Sequence, residues 1–275
     1  MKVRRAVAET RQRLEAAGCE SPEVEAEILV AHLLGVARSE IALDDSRKLS
    51  KAEERTLDLL VARREEREPL AYVLGEWGFR QLLLAVDARV LVPRPETEIV
   101  VERCLARIGT LTEPRVLDVG TGSGAIALAI ADEHPGARVT GVDASSGALE
   151  VAGANVVRTG IAIDLRTWDL FTGLPEGPWD LVVSNPPYVL PEEIETLEPE
   201  VRDWEPREAL TGVGATEAVA RGAREVLAEP GALVLEVAAA DASRVATLLE
   251  ALGYVDVVAT KDLTGRDRVV EGTRA

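Results

Sequence analysis

Asp180-Leu-Val-Val-Ser-Asn-Pro-Pro-Tyr188 is the stretch from which the fold of this chain can be worked out. Leu181, Val182 and Val183 form a short apolar run rich in β-branching, the pattern of a strand buried on both faces. Asn185 to Tyr188 must end that strand, because two consecutive prolines supply no ladder donors. Such a strand belongs to the middle of an open α/β sheet, where chemistry sits just past the carboxyl ends of the strands. An amide, two rigid residues and an aromatic ring thus stand where a reacting group would lie. Taken alone, the four residues also suit a plain strand-ending turn, since Asn and Pro are ordinary turn residues.

Upstream, the pattern is strand, helix, strand. Val116 to Val119 reads as a strand, Gly120-Thr-Gly-Ser-Gly124 as a tight glycine loop and Ala125 to Ala131 as a helix. Ala137 to Val142 is the next strand, ending at Asp143, and Ala148 to Val157 the next helix. Ile163 to Thr167 and Ala232 to Val237 supply further strands, with helices around Gly222 to Leu227 and Val245 to Leu252. Val255 to Val258 and Arg268 to Val270 close the sheet as an antiparallel hairpin. The expected fold is α/β: a Rossmann-like, mostly parallel sheet of seven strands, with helices on both faces and that terminal hairpin.

Residues 1–74 read as a separate small all-α domain. Ser21-Pro22 offers an N-cap and an N1 proline, Gly35 a stop, and Ser50 with Glu53 a capping box. Nothing in the module looks catalytic, so contact with a substrate is its expected use. Residues 75–92 change character: Trp77, Phe79, Leu82, Leu83 and Leu84 favour strands, and a β-hairpin linker is expected with its turn near Val86-Asp87-Ala88. Residues 93–275 then form the catalytic domain, opened by Pro93-Arg-Pro-Glu-Thr-Glu98; Arg94, Glu96 and Thr97 either cap the first helix or face the site.

Composition narrows the function. The net charge is −17, with 13 basic and 15 acidic side chains in residues 1–75 against 18 and 33 in the rest, so −2 and −15. A nucleic-acid binder gains affinity by neutralising phosphates, and the catalytic part would repel them on average. Two distant cysteines and two histidines give no disulfide framework, metal cluster or Ser-His-Asp set. With neither an apolar span nor a leader, a cytoplasmic protein that does not engage membranes is expected.

The loop glycines let backbone amides approach a ligand closely at a positive helix N-terminus. Asp143, at the end of the next strand, can accept hydrogen bonds from both hydroxyls of a ribose. A nicotinamide dinucleotide would satisfy these two features. The Gly120-x-Gly122-x-Gly124 spacing and Asp118 beneath the loop favour S-adenosylmethionine instead, because a carboxylate suits a ligand with a free amino group better than a pyrophosphate. Methyl transfer also explains Asn185 and Pro186. An amide acceptor has a delocalised lone pair; the Asn185 side-chain oxygen and the Pro186 carbonyl, placed against its N–H bonds, turn that pair towards the methyl.

The glycine loop with Ser184-Asn-Pro-Pro-Tyr188 resembles the class I amino-methyltransferases. Together with Pro93 to Glu98, Glu205-Pro-Arg207 and Lys261 to Arg268, it resembles the HemK/PrmC family over essentially the whole chain. That resemblance implies methylation of the side-chain amide nitrogen, N5, of the Gly-Gly-Gln glutamine of class I peptide chain release factors, with S-adenosylhomocysteine as product. It implies that Gly120, Thr121, Gly122, Ser123 and Gly124 hold the methionine end of the cofactor, Asp143 the ribose, and Asp169 and Leu170 the adenine. Asn185, Pro186, Pro187 and Tyr188 would hold the glutamine, with Asn185, Pro186 and Tyr188 acting in transfer; no metal and a monomer are expected. Ala238 to Ala242 and Gly212 to Thr216 depart from the family pattern. Methylation of a ribosomal protein glutamine is the alternative, then amino-methylation of DNA or RNA.

Overall fold

The structure is a computed structural model that describes residues 1–43 and 46–275. In chain order its helices are α1 (Val3–Ala16), α2 (Pro22–Leu34), α3 (Lys51–Glu65), α4 (Leu70–Leu74), α5 (Thr97–Ile108), α6 (Ala125–Glu133), α7 (Ser146–Thr159), α8 (Pro199–Arg202), α9 (Arg207–Leu210), α10 (Ala215–Val226) and α11 (Ala242–Ala251). Its strands are β1 (Glu76–Phe79), β2 (Leu82–Ala85), β3 (Arg115–Val119), β4 (Arg138–Asp143), β5 (Asp164–Thr167), β6 (Trp179–Ser184), β7 (Leu227–Glu236), β8 (Tyr254–Lys261) and β9 (Asp267–Arg274). The chain divides into two compact units: Met1–Gly75 with Glu198–Trp204, and Glu76–Leu197 with Glu205–Ala275.

The first unit is a helical bundle around Val3, Leu14, Leu29, Val30, Leu57 and Val61. Helix α3 starts where both halves of the capping box form: Ser50 Oγ accepts from the Glu53 amide at 3.2 Å and Glu53 Oε2 from the Ser50 amide at 2.7 Å. Helix α2 begins at Pro22 and ends at Gly35 with φ 63°, but Ser21 makes no capping bond. Arg64, almost wholly buried, donates to Glu25 at 2.7 Å and to Glu200 at 2.7 Å, and Arg67 grips the same Glu200 at 2.6 Å. These ion pairs explain why α8, which follows the Asn-Pro-Pro-Tyr stretch in sequence, packs with the helical unit. Burial opposes the Arg64 charge, and the two carboxylates outweigh it, so its pKa stands above the ordinary value.

In the second unit β1 and β2 pair from Glu76↔Ala85 to Phe79↔Leu82, which puts the reversal at Arg80-Gln81. The turn expected near Val86-Asp87-Ala88 is therefore displaced, and Arg80 takes the positive φ, 50°, that a glycine or asparagine usually supplies. Phe79 and Leu84 are buried in the core of this unit. Asn155 of α7, fully buried, holds the hairpin in place. Its Oδ1 accepts from the Ala85 amide at 2.6 Å, while Nδ2 donates to the Ala85 carbonyl at 3.0 Å and the Ser123 carbonyl at 2.9 Å. One side chain thus joins the hairpin to the glycine loop. Asn155→Ala is expected to cost about 1–3 kcal/mol, the penalty of an orphaned buried polar group, read as a lower denaturant midpoint at unchanged slope.

Among the described residues, seven strands form one sheet in the order β5-β4-β3-β6-β7-β9-β8. The pairs from β5 to β7 are parallel, and β9 lies antiparallel to both β7 and β8. The α/β fold with its terminal hairpin is thus the one expected. Alternation along each strand feeds two cores. Val116, Leu181, Val183 and Val234 pack under α5 and α6, while Leu117, Val119, Val182 and Leu233 pack under α10 and α11. Such burial contributes about 1.5–3 kcal/mol per large aliphatic side chain. The strand order runs outward from β3 through β4 to β5, then returns to the other side of β3 with β6. That reversal leaves a crevice at the carboxyl ends of β3 and β6, the place where open α/β sheets bind ligands.

Candidate active site

Register brings the separate motifs together. Val119 lies opposite Val142 on one side and Ser184 on the other. The residues that follow these strands, Gly120, Asp143 and Asn185, therefore emerge side by side. Ser184 locks its strand end by donating its hydroxyl to the Val119 carbonyl at 2.7 Å. The cleft above measures about 330 Å³ and is lined by the loop from Gly120 to Ser123, Asp143, Leu170, Asn185 and Pro187, among others. That falls within the usual range of small-molecule sites.

The three loop glycines do different work. Gly120 and Gly122 have φ of 75° and 56°, and a Cβ on either would meet nothing within 4 Å, so open space for a ligand lies before them. Gly124, at φ 82°, has Leu128 and Ala152 against it, so it serves close packing of α6. Asp143 accepts from the Gly122 amide at 2.9 Å through Oδ2 and from the Ser145 amide at 2.9 Å through Oδ1. Burial pushes its carboxyl upward, the two amide bonds oppose that, and the Glu208 charge adds to it. Each oxygen keeps lone-pair capacity towards the cleft.

Asp118 lies fully buried beneath the loop rather than on the cleft wall. Its Oδ2 accepts from the Thr121 hydroxyl at 2.6 Å. Among the described residues Oδ1 meets no donor at hydrogen-bonding geometry. Burial pushes its carboxyl up to about 7, with the Thr121 bond working the other way. A buried carboxyl under open glycines fits a ligand that carries a cationic amino group, whose charge would draw it into the ionised form. Asp169 is exposed and caps a short turn by accepting from the Phe171 amide at 2.9 Å. Leu170 is half-buried in the wall, and Phe171, 62% exposed, stands beside it. An aromatic ring left mostly in water at the rim of an apolar slot suits a planar base.

The Asn-Pro-Pro-Tyr residues divide between two hollows. Asn185 and Pro187 face the main cleft, and Pro186 is buried behind them. Tyr188 lies on the far side of Pro187, lining a second groove with Val189, Gly212 and Val237. Its hydroxyl donates to Glu236 Oε1 at 3.3 Å, and burial, then the Glu236 charge, pushes the phenol up to about 12. The other Glu236 oxygen accepts from the Thr97 hydroxyl at 2.7 Å. Asn185 Nδ2 stands 3.5 Å from that same hydroxyl oxygen.

The burial of two carboxylates here has no local signal in the sequence. Glu236 is an unremarkable end to an apolar strand, and Glu205 sits in an acidic stretch, yet both are buried. Arg94 donates to both oxygens of Glu205 at 2.7 Å, and the Val92 amide adds a bond at 3.3 Å. That ties the Pro93-Arg-Pro turn to the segment after the motif. Gly212 is needed for space: a Cβ there would lie 2.4 Å from Pro187 Cγ. The departing Gly212 to Thr216 segment therefore keeps the glycine that lets Pro187 approach. Ala238 to Ala242 forms a short turn, with Ala238 on the wall of the Tyr188 groove, and leads into α11.

Comparison with known proteins agrees with this geometry. Residues 5–75 match the family model of the PrmC N-terminal domain, and residues 97–198 that of the methyltransferase small domain. A release factor glutamine methyltransferase of Caulobacter vibrioides is 40% identical over 274 residues, spanning 96% of this chain and 93% of that one. Its namesake in Deinococcus radiodurans is 38% identical, spanning 100% and 99%. The fold is also that of a methyltransferase from Pyrococcus furiosus, with a TM-score of 0.51 at 15% identity over 81% of this chain and 98% of that one. Similarity of this degree, sustained from one end to the other, means that the chain belongs to the release factor glutamine methyltransferase family.

Proposed function

We propose that this protein transfers a methyl group from S-adenosylmethionine to the side-chain amide nitrogen of the glutamine in the Gly-Gly-Gln motif of class I release factors. One observation carries the reading: the glycine loop, Asp143 and the Asn185 corner open on a single cleft. The bound cofactor supplies an electrophilic methyl on a sulfonium and leaves as S-adenosylhomocysteine. The loop from Gly120 to Gly124 would hold its amino acid end at the start of α6, in the open space before Gly120 and Gly122, with the Asp118 carboxyl below. Asp143 takes the ribose hydroxyls, and Asp169, Leu170 and the flanking Phe171 frame the adenine.

Asn185 Oδ1 and the Pro186 carbonyl accept the two N–H bonds of the substrate amide. Held so, the amide nitrogen would present its lone pair out of plane, towards the methyl; the N–C bond forms as the S–C bond breaks, and the nitrogen then gives up one of its protons to solvent. Two prolines keep the carbonyl aimed, which lowers the cost of ordering in the transition state. Tyr188 supports the corner from the neighbouring groove through its bond to Glu236. Replacing Asp143 by alanine is expected to weaken cofactor binding by about 1.5–3 kcal/mol, the value of hydrogen bonds to a charged group; titration calorimetry with S-adenosylmethionine reads it.

Residues 1–74 help to recruit the folded substrate, and a translation factor as substrate places the work in the cytoplasm. The catalytic part's charge of −15 supports a protein acceptor over a phosphate backbone. The protein is proposed to act as a monomer without metal. A competition among intact release factor, a Gly-Gly-Gln peptide, a ribosomal protein and duplex DNA tests the substrate class. Release factor is expected to be methylated first and the peptide more slowly. Preferential methylation of DNA or of the ribosomal protein would overturn the assignment.

A further inference from the structure

Thr97 and Glu236 are given no contact with the substrate above, yet a chain of hydrogen bonds runs from Glu236 through Thr97 to Asn185. Thr97 opens α5, Glu236 ends β7 and Asn185 follows β6, so three elements distant in sequence meet at one point. Glu236 is 1% exposed, a costly place for a carboxylate unless its bonds are used.

The direction of each bond follows from chemistry. A carboxylate only accepts, so the single Thr97 hydroxyl proton, 2.7 Å from Glu236 Oε2, must point at Glu236. The Thr97 oxygen then offers only lone pairs to Asn185. Of the two ends of the Asn185 amide, only Nδ2 can answer, and it stands 3.5 Å away. Oδ1 is left on the opposite side, free to accept. Tyr188 donates to the second Glu236 oxygen at 3.3 Å and adds another donor to the same carboxylate. Burial pushes the Glu236 carboxyl upward; the Thr97 bond and the positive charge of Arg268, itself 3.3 Å from Asp262, oppose that and favour the carboxylate.

We propose that Glu236 and Thr97 are positioning residues that fix which way round the Asn185 amide sits, holding its oxygen towards the substrate amide. This rests on the role assigned to Asn185 above. A flipped Asn185 would present N–H to N–H, and the acceptor lone pair would lose its alignment.

The test uses full-length protein with Gly-Gly-Gln peptide and S-adenosylmethionine. Thr97→Val keeps shape and removes the hydroxyl; kcat is expected to fall about 10²-fold, the scale of a misplaced reacting group, in a protein that still folds and binds cofactor but melts at a lower temperature because Glu236 loses a donor. Thr97→Ser retains the hydroxyl and is expected to restore most of the rate. Glu236→Gln is nearly isosteric, but its amide can donate to Thr97 and so release the hydroxyl proton towards Asn185; it too is expected to lower kcat. In combination with Asn185→Ala, Thr97→Val should add nothing further. Wild-type turnover in both Thr97→Val and Glu236→Gln, with Asn185→Ala crippled, would overturn the positioning role alone. Wild-type turnover in Asn185→Ala would overturn the role of Asn185 and this inference with it.

Discussion

Replacing Asn185 by alanine is expected to leave a folded protein whose kcat is lower by about 10²–10³, the usual result of removing one preorganised partner. The fold does not depend on this side chain. Asn185 is half-buried beyond the end of β6, and the strand is held by its pairing to β3 and β7 and by the Ser184 bond to Val119. What alanine removes is an acceptor aimed at the substrate amide. The loss should appear in kcat at saturating cofactor, with S-adenosylmethionine affinity and the thermal midpoint close to wild type. A folded Asn185→Ala variant with normal kcat would end the lone-pair argument.

Arg64→Ala is expected to destabilise the helical unit by about 3–5 kcal/mol, the cost of removing one partner from a buried ion pair. The Arg64 side chain is 4% exposed and faces two carboxylates, Glu25 and Glu200, which would be left close together without it. Arg67 would still hold Glu200, so α8 should loosen rather than detach fully. The expected signs are a lower denaturant midpoint for the helical unit and faster proteolysis between Glu198 and Trp204. Arg64→Lys should recover only part of the loss, because one ammonium cannot reproduce the guanidinium fork. Unchanged stability in Arg64→Ala would contradict the view that these ion pairs hold α8.

Features that depend on neighbours in sequence were legible before the structure. Val116 to Val119 followed by three spaced glycines, Asp143 at a strand end and Asn185 before two prolines all follow from local backbone rules. Parallel pairing of β3 with β4 and β6 then forces these motifs into one cleft. Features that depend on distant partners were not legible. Thr97 and Glu236 lie 139 residues apart; the sequence leaves Thr97 as either a cap or a site residue, and Glu236 does not stand out in its strand. Arg64 and Glu200 are 136 apart, so an acidic side chain that nothing in its own segment pairs is consumed inside the molecule. Glu205 is likewise taken by Arg94. The hairpin turn was misplaced because Asp87-Ala88 looks more like a turn than Arg80-Gln81, where a non-glycine residue adopts positive φ.

The most direct test of the central claim is tandem mass spectrometry of a release factor incubated with this protein and methyl-labelled S-adenosylmethionine. A single labelled methyl on the side-chain nitrogen of the Gly-Gly-Gln glutamine is expected, absent when that glutamine is replaced by asparagine. Label on another residue, or a release factor left unlabelled by active protein, would contradict the account.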